Sequence, residues 1–512
     1  MASTGLWNIA REQPDLTAVV DPDGRQVTYA ELAAAADRYG RGFQAMGLSQ
    51  GDSVVLLLPN GIDLVSAYFG AFQTGLYVVM ANWHLVGAEV AYLIEDSGAK
   101  AFVAHSRFAD TAADALSRTG VAGFAVGEVP GFEPLSALGA GETGRPDVRT
   151  AGSPMLYTSG TTGRPKGVRR PLTGADPDVV PPAASWFFGI FGLGPFDGHV
   201  HICGSPLYHT AVLNFVANSV QLGHTAVLMD RWRPEEMLRL IDRYRVTHSH
   251  MVPTQFHRLL ELPEEVRSRY DVSSLRCMIH GAAPCPQEVK RRMLDWWGPV
   301  VTEYYAATEG GGTAISAAEW LKKPGSVGRA WPGSVVAVLD DDGEPVPTGT
   351  PGLVYMRMGE STFEYHKDVD KTRAARVGNL FTLGDIGYLD EDGYLYLCDR
   401  KADLIISGGV NIYPAEIENE LAVHPKVADV AVFGVPNDDW GEEIKAVVRP
   451  AAGVVAGQEL TDELQAFAAG RLAKFKLPRT IDYADELPRD PNGKLYKRKL
   501  RDPYWADRER AI

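Results

Sequence analysis

Residues 157–168, Tyr-Thr-Ser-Gly-Thr-Thr-Gly-Arg-Pro-Lys-Gly-Val, constrain this chain more than any other stretch. Three glycines, one proline and four Ser/Thr hydroxyls exclude a regular helix or strand there. The apolar lead-in Met155-Leu156 predicts a short strand that feeds a loop. Such a loop offers backbone N–H groups and hydroxyl donors around a concavity, with Lys166 bringing positive charge to its rim. That chemistry suits a polyphosphate. The kinase-type P-loop does not fit, because it places Gly-Lys directly before Ser or Thr at a helix start, whereas Lys166 is followed by Gly167 and Val168. A surface linker is the bland alternative, but linkers rarely combine this glycine spacing with a Pro-Lys-Gly ending.

At 512 residues the chain should hold two or more domains with sizeable cores. Apolar residues make up 45% and charged residues 22%, the balance of a soluble globular protein. A net charge of -15 argues against a nucleic-acid partner, which most of the surface would repel. Cys203, Cys277, Cys285 and Cys398 lie far apart without a CxxC pair. They predict buried small side chains rather than disulfides or a zinc site. Residues 1–16 lack the apolar run of a signal peptide. The most apolar aromatic stretch, 183–196, is interrupted by Gly189, Gly192, Gly194 and Pro195. It also falls short of the ~20 residues that span a bilayer. A cytoplasmic protein without a transmembrane segment is therefore expected.

Taken in order, the chain alternates. Val27 and Tyr29 suggest a strand leading into a helix with Leu32, Ala35, Tyr39 and Phe43 at helical spacing. The apolar run 54–58, ended by Pro-Asn-Gly, suits a buried parallel strand. Helix 64–75, strand 77–80, helix 89–96 and strand 101–104 follow. This is the pattern of a wound α/β domain. A Gly- and Pro-rich connection, 126–149, leads to the opening stretch. A second series has strands at 200–203, 226–228 and 247–252 and helices at 210–221 and 234–244. Short β-like runs from 335 to 388 suggest a small barrel-like subdomain. A further αβ series then begins near Asp399-Arg400. The expected architecture is an N-terminal α/β domain, residues 1–399, and a smaller mobile α+β domain, residues 400–512.

Several short motifs carry chemistry. Tyr305-Ala-Ala-Thr308-Glu309 places an aromatic, a hydroxyl and a carboxylate together. Adenine could lie on the tyrosine while the carboxylate holds Mg²⁺ against phosphates; a helix-capping Thr-Glu pair is the commoner explanation. His199-x-His201 and His248-x-His250 alternate as on one strand face, but imidazoles without accompanying carboxylates or cysteines make an incomplete metal site. Pro-Asn-Gly-Lys494 sits in a polar loop before Lys497-Arg498-Lys499, which by itself reads as a turn with a solvated basic run.

The loop at 157–168 and these motifs, in this order, resemble the adenylate-forming enzymes: acyl-CoA and aryl-CoA synthetases, peptide-synthetase adenylation domains and beetle luciferases. The resemblance covers about residues 28–500. It implies ATP binding by Thr158, Ser159, Gly160, Thr161, Thr162, Gly163 and Lys166, by Ala282 and Ala283, and by Tyr305 and Thr308. In the family Glu309 would hold Mg²⁺, and Asp385 and Arg400 would hold the ribose. The same resemblance implies Lys494 as the mobile catalytic lysine and Ala402 as the hinge, where the family usually has Asp or Lys. Gly408 and Gly409 would line the coenzyme A tunnel. His209, Gly281 and Ala306 would border the acyl site; Ala306 stands where the family usually has glycine.

Amino-acid-activating relatives carry an aspartate near His209 for the substrate ammonium. None is present here, and an unpaired ammonium would be costly to bury. The implied reaction is adenylation of an apolar carboxylic acid, aliphatic or polycyclic, followed by transfer to coenzyme A. Loading of a carrier-protein phosphopantetheine thiol is the alternative acceptor, and a non-catalytic nucleotide-binding protein is the alternative from another class. A homodimer is left open.

Overall fold

The computed structural model describes all residues except 1–2, 159–165, 180–181, 308–309, 360–363, 366–372, 374, 490–494 and 507–512, and only the backbone of 158, 166, 182–183 and 364–365. The described chain packs as two compact units. One comprises Met1–Met251, Leu262–Ile279 and Thr362–Ala374; the other comprises Val252–Glu261, His280–Ser361 and Ala375–Ile512.

In the first unit, strands Glu133–Pro134, Ala122–Val126, Ala99–His105, Ser53–Leu57, Tyr77–Met80 and Ser153–Pro154 lie side by side in that order, all parallel. The central strands Ser53–Leu57 and Tyr77–Met80 are buried on both faces, which accounts for their continuous apolar runs. Val54, Leu56, Val78 and Val103 point into one core and Val55, Leu57, Val79 and Phe102 into another, as the period of two requires. Helix Tyr29–Ala45 covers the first face.

Tyr29 is a correction to the sequence reading, because it opens this helix instead of closing a strand. The cause is the capping box at Thr28. Glu31 N–H donates to Thr28 Oγ1 at 3.2 Å, and Thr28 N–H donates to Glu31 at 2.8 Å. Tyr29 is then drawn into the core, where its hydroxyl donates to the carbonyls of Val220 and His224.

A second set of strands in this unit, His248–Met251, Val200–Cys203, Thr225–Leu228, Thr17–Val20 and Gln26–Thr28, is also ordered side by side. Helix Thr210–Gln221 has the bounds that its periodicity predicts. No helix among the described residues is long and apolar enough to cross a membrane.

In the second unit, strands Val301–Ala306, Gly312–Ile315 and Arg329–Ala330 form an antiparallel ladder. The region expected to be barrel-like is a five-stranded antiparallel sheet, built on Ser334–Leu339, Gly352–Met358 and Leu380–Leu389. The C-terminal strands Val427–Asn437 and Gly441–Pro450 pair over their length beneath helices Pro414–Ala422 and Gln458–Ala469. The boundary expected at 399/400 falls inside strand Leu395–Arg400, one residue before the short helical turn Lys401–Asp403.

The basic run at Lys497 departs from the solvated reading. Lys497 turns inward to Glu418, 2.9 Å away, with its side chain 11% exposed. Arg501 likewise folds back, donating to the Ala402 carbonyl at 3.1 Å and lying 3.5 Å from Asp403. Only Arg498 and Lys499 of this run are exposed.

A buried ion pair underlies the strand that carries Tyr305. Lys290 Nζ, on helix Gln287–Trp297, donates to Glu303 at 2.6 Å and lies 4.9 Å over the Trp320 ring. Burial raises the Glu303 carboxyl pKa while Lys290 opposes that rise. Lys290→Met strips the carboxylate of its cation inside the core and should cost about 3–5 kcal/mol. The measurement is the urea midpoint. Pairing the change with Glu303→Leu should recover most of the loss, and an unchanged midpoint in the single variant would show that the pair does not stabilise the fold.

Candidate active site

The glycine- and hydroxyl-rich stretch is flanked by two paired strands. Strands Leu156–Thr158 and Lys166–Arg169 run antiparallel, with Thr158 opposite Lys166 and Tyr157 opposite Gly167. The backbones of Thr158 and Lys166 are thus held opposite each other on either side of residues 159–165. Tyr157 anchors the first strand by donating its hydroxyl to Asp96 at 2.8 Å. The loop residues Ser159, Gly160, Thr161, Thr162 and Gly163 lie outside the described residues, as do Thr308, Glu309 and Lys494.

Within the second unit the structure brings three separate motifs together. Tyr305 donates its hydroxyl to Asp385 at 2.6 Å, and Arg400 Nε lies 3.3 Å from the other carboxylate oxygen. Asp385 and Arg400 are directly opposite on paired strands, so the backbone register itself fixes that contact. Asp385 is 8% exposed and held from both sides. The Tyr305–Asp385 bond was not visible in the sequence, since 80 residues separate the partners.

The small-residue segment follows strand Cys277–His280. A Cβ on Gly281 would stand 2.8 Å from the Tyr304 ring and 2.9 Å from its carbonyl oxygen, so glycine is required for this approach. Ala282 adopts φ 65, a left-handed conformation unfavourable for a residue with a side chain. Such strain concentrates at ligand sites. Ala282 is exposed, Ala283 is half-buried beside it, and Ala306 ends its strand opposite Gly312.

In the first unit His209 immediately precedes helix Thr210–Gln221, with its ring 4.3 Å from that of Tyr208. Burial, with His250 and His84 nearby, pushes its pKa down to about 3. Gly408 and Gly409 form the turn of a hairpin between strands Ile405–Ser407 and Val410–Ile412. Both have positive φ, 58 and 78, which explains the Gly-Gly pair structurally. Ala402 lies in the turn that Arg501 clasps. Among the described residues no group of three His, Cys, Asp or Glu side chains is arranged to hold a metal ion.

A family model described as AMP-binding enzyme matches residues 6–365, and one described as AMP-binding enzyme C-terminal domain matches residues 416–494. The chain belongs to the AMP-binding enzyme family. This AMP-binding enzyme is 34% identical over 507 residues to the long-chain-fatty-acid–CoA ligase FadD13 of Mycobacterium tuberculosis, covering 97% of each chain. It is 31% identical to the fatty acid–[acyl-carrier-protein] ligase ScoC of Streptomyces coeruleorubidus, over 98% of this chain and 96% of that one. Its structure resembles that of the amide bond synthetase McbA of Marinactinospora thermotolerans, with a TM-score of 0.83, 26% identity, and coverage of 96% and 97%. The AMP-binding enzyme is an ATP-dependent, AMP-forming acid–thiol ligase of the acyl-CoA synthetase type.

Asp385→Ala should raise the KM for ATP about 10- to 100-fold, the range for losing charged hydrogen bonds to a ligand. Tyr305→Phe should raise it only several-fold, since Arg400 still holds the carboxylate. ATP titrations at saturating acid decide this, and equal KM values in all three proteins would remove Asp385 from the nucleotide site.

Proposed function

We propose that this enzyme adenylates an apolar carboxylic acid lacking an α-amine and delivers the acyl group to coenzyme A. The observation that carries the reading is the Tyr305–Asp385–Arg400 cluster, which supplies an aromatic face and a braced carboxylate suited to adenosine. In the first half-reaction the substrate carboxylate attacks the α-phosphorus of ATP and pyrophosphate leaves. A carboxylate with a pKa near 4.3 is ionised at neutral pH, so no general base is needed. The barrier is the approach of two anions, which positioning and fixed positive charge lower. Lys494 bridges the attacking carboxylate and the α-phosphate. Thr158, Ser159, Thr161, Thr162 and Lys166 hold the departing pyrophosphate. Mg²⁺, where bound, would be held by Glu309 and would neutralise phosphate charge.

In the second half-reaction the thiol displaces AMP, with the domain beginning at residue 400 turning near Ala402 to present Gly408 and Gly409. The protein is read as cytoplasmic, with a small-molecule acid as its partner. The likeness to ScoC supports a carrier-protein thiol as second acceptor. ATP–pyrophosphate exchange across fatty, aromatic and polycyclic acids tests the first half. Supplying the acyl-adenylate with coenzyme A or with a phosphopantetheinylated carrier separates the acceptors. Absence of acid-dependent exchange throughout would refute the reading.

A further inference from the structure

The two short strands that flank residues 159–165 are fastened to the body of the first unit by side chains from separate elements. Just before the first strand, Met155 N–H donates to the Val78 carbonyl of strand Tyr77–Met80 at 2.9 Å. Tyr157 then meets helix Gly87–Ser97. Its ring packs edge to face on that of Tyr92 at 6.5 Å, and its hydroxyl reaches Asp96, one turn further along the same helix face. Burial and the Asp96 carboxylate hold the Tyr157 phenol well above its usual range, so it stays a donor.

Another tyrosine fastens the second strand. Tyr77, 4% exposed, donates its hydroxyl to the Arg170 carbonyl at 2.7 Å. The Arg169 guanidinium lies 4.2 Å over the Tyr77 ring and donates to the Gly51 carbonyl at 3.2 Å. Across the pair, Tyr157 stands opposite Gly167, where a Cβ would overlap the Met155 methyl and come within 3.2 Å of the Tyr157 ring. Glycine there leaves room for the ring that carries the Asp96 bond. Half-buried and buried tyrosine hydroxyls usually find a partner. Here both bonds serve the same short pair of strands, one on each.

We propose that Tyr157, Asp96 and Tyr77 are positioning residues: they hold the two ends of the polyphosphate-binding stretch in fixed register and so set its affinity for pyrophosphate. The inference rests on the adenylation reading above, in which that stretch takes the departing pyrophosphate. Strands this short are marginal by themselves. Fixing both ends of a glycine- and hydroxyl-rich connection places part of its ordering cost on folding, and a ligand then binds without meeting that part. Releasing either strand returns the cost to binding. Inorganic pyrophosphate should respond to such a change, whereas AMP, which lacks the β- and γ-phosphates, should not.

The test is isothermal titration calorimetry of the full chain with inorganic pyrophosphate and Mg²⁺, and separately with AMP. Tyr157→Phe and Tyr77→Phe each remove one hydroxyl and keep the ring. Each should raise the pyrophosphate Kd about three- to tenfold, and the two together about tenfold or more. The AMP Kd should not change. Asp96→Asn keeps an acceptor oxygen for the Tyr157 hydroxyl and should match the natural protein, whereas Asp96→Ala should match Tyr157→Phe. Partial misfolding lowers the fitted stoichiometry and leaves the Kd of the folded fraction, so it does not mimic this pattern. An unchanged pyrophosphate Kd in the double variant, or an AMP Kd that rises in step with it, overturns the assignment. So does an Asp96→Asn protein as weak as Asp96→Ala. A natural protein that binds AMP but no pyrophosphate refutes the polyphosphate reading itself, a different failure, and the positioning role falls with it.

Discussion

Lys494→Ala is expected to lose acyl-adenylate formation by roughly 10² to 10³ in rate, the usual cost of one charge-stabilising donor in a preorganised site. Thioester formation from supplied acyl-AMP should remain nearly intact. The asymmetry follows from the charges. Two anions must meet in the first half-reaction, and a lysine bridging them lowers that barrier alone. The second half begins with the acyl-AMP mixed anhydride, which carries a single negative charge, and a thiol; carboxylate and phosphate are already joined, so a bridge between them has nothing left to do. Rapid-quench measurement of each half-reaction separates them, with circular dichroism to show that the fold persists. Equal loss in both halves with the fold intact would show that Lys494 does not have this role.

Local pattern carried much of the architecture and less of the site. The run 54–58 announced a strand buried on both faces, and helix Thr210–Gln221 was legible from its period because its apolar face is continuous. Contacts that depend on distant partners left no local trace. Lys497 looked solvated because Glu418, its counter-ion, is far back in the sequence on helix Pro414–Ala422. Arg501 reaches 99 residues back to Ala402. The brace on Asp385 needed both the strand register with Arg400 and the separate approach of Tyr305. The alternating histidines at 199–201 and 248–250 were visible, and alternation placed them on one strand face. What periodicity could not supply was the burial that makes them neutral, which comes from Phe215 and Phe188 on helices elsewhere.

That burial sets a second large effect, a steep loss of stability in mild acid. Burial is the leading cause in each case. It holds His201 and His209 near pKa 3 and His224 and His250 near 4, and it also depresses His199 and His248. Unfolded, each ring returns to about 6.5. Below that pH the unfolded chain binds protons that the fold refuses, so stability falls as pH drops through 6.5 and continues to fall toward the folded values. The bond that His224 Nε2 donates to the Gly194 carbonyl at 2.9 Å opposes its shift but does not outweigh burial, and His248 lies between Ser219 and Thr247 at 3.2 and 3.1 Å. Asp197 opposes the shift only at His199 and His224. Each ring costs up to about 1.4 kcal/mol per pH unit. Four such rings together cost about 5 kcal/mol between pH 7.5 and 5.5, a large share of a typical stability of about 5–15 kcal/mol. Glu303, Glu418, Asp21, Asp37 and Asp399, whose carboxyl pKa values burial raises, work in the opposite direction, gaining protons in the fold first as pH falls. The histidines should win between 7.5 and 5.5, because the ordinary imidazole pKa of about 6.5 lies inside that range and the ordinary carboxyl values of about 4 lie below it. Urea midpoints at pH 7.5, 6.5 and 5.5 measure the slope, and His201→Phe should flatten it by about a fifth or less. A midpoint that stays constant across that range would mean that these imidazoles are protonated in the fold as readily as in the unfolded chain.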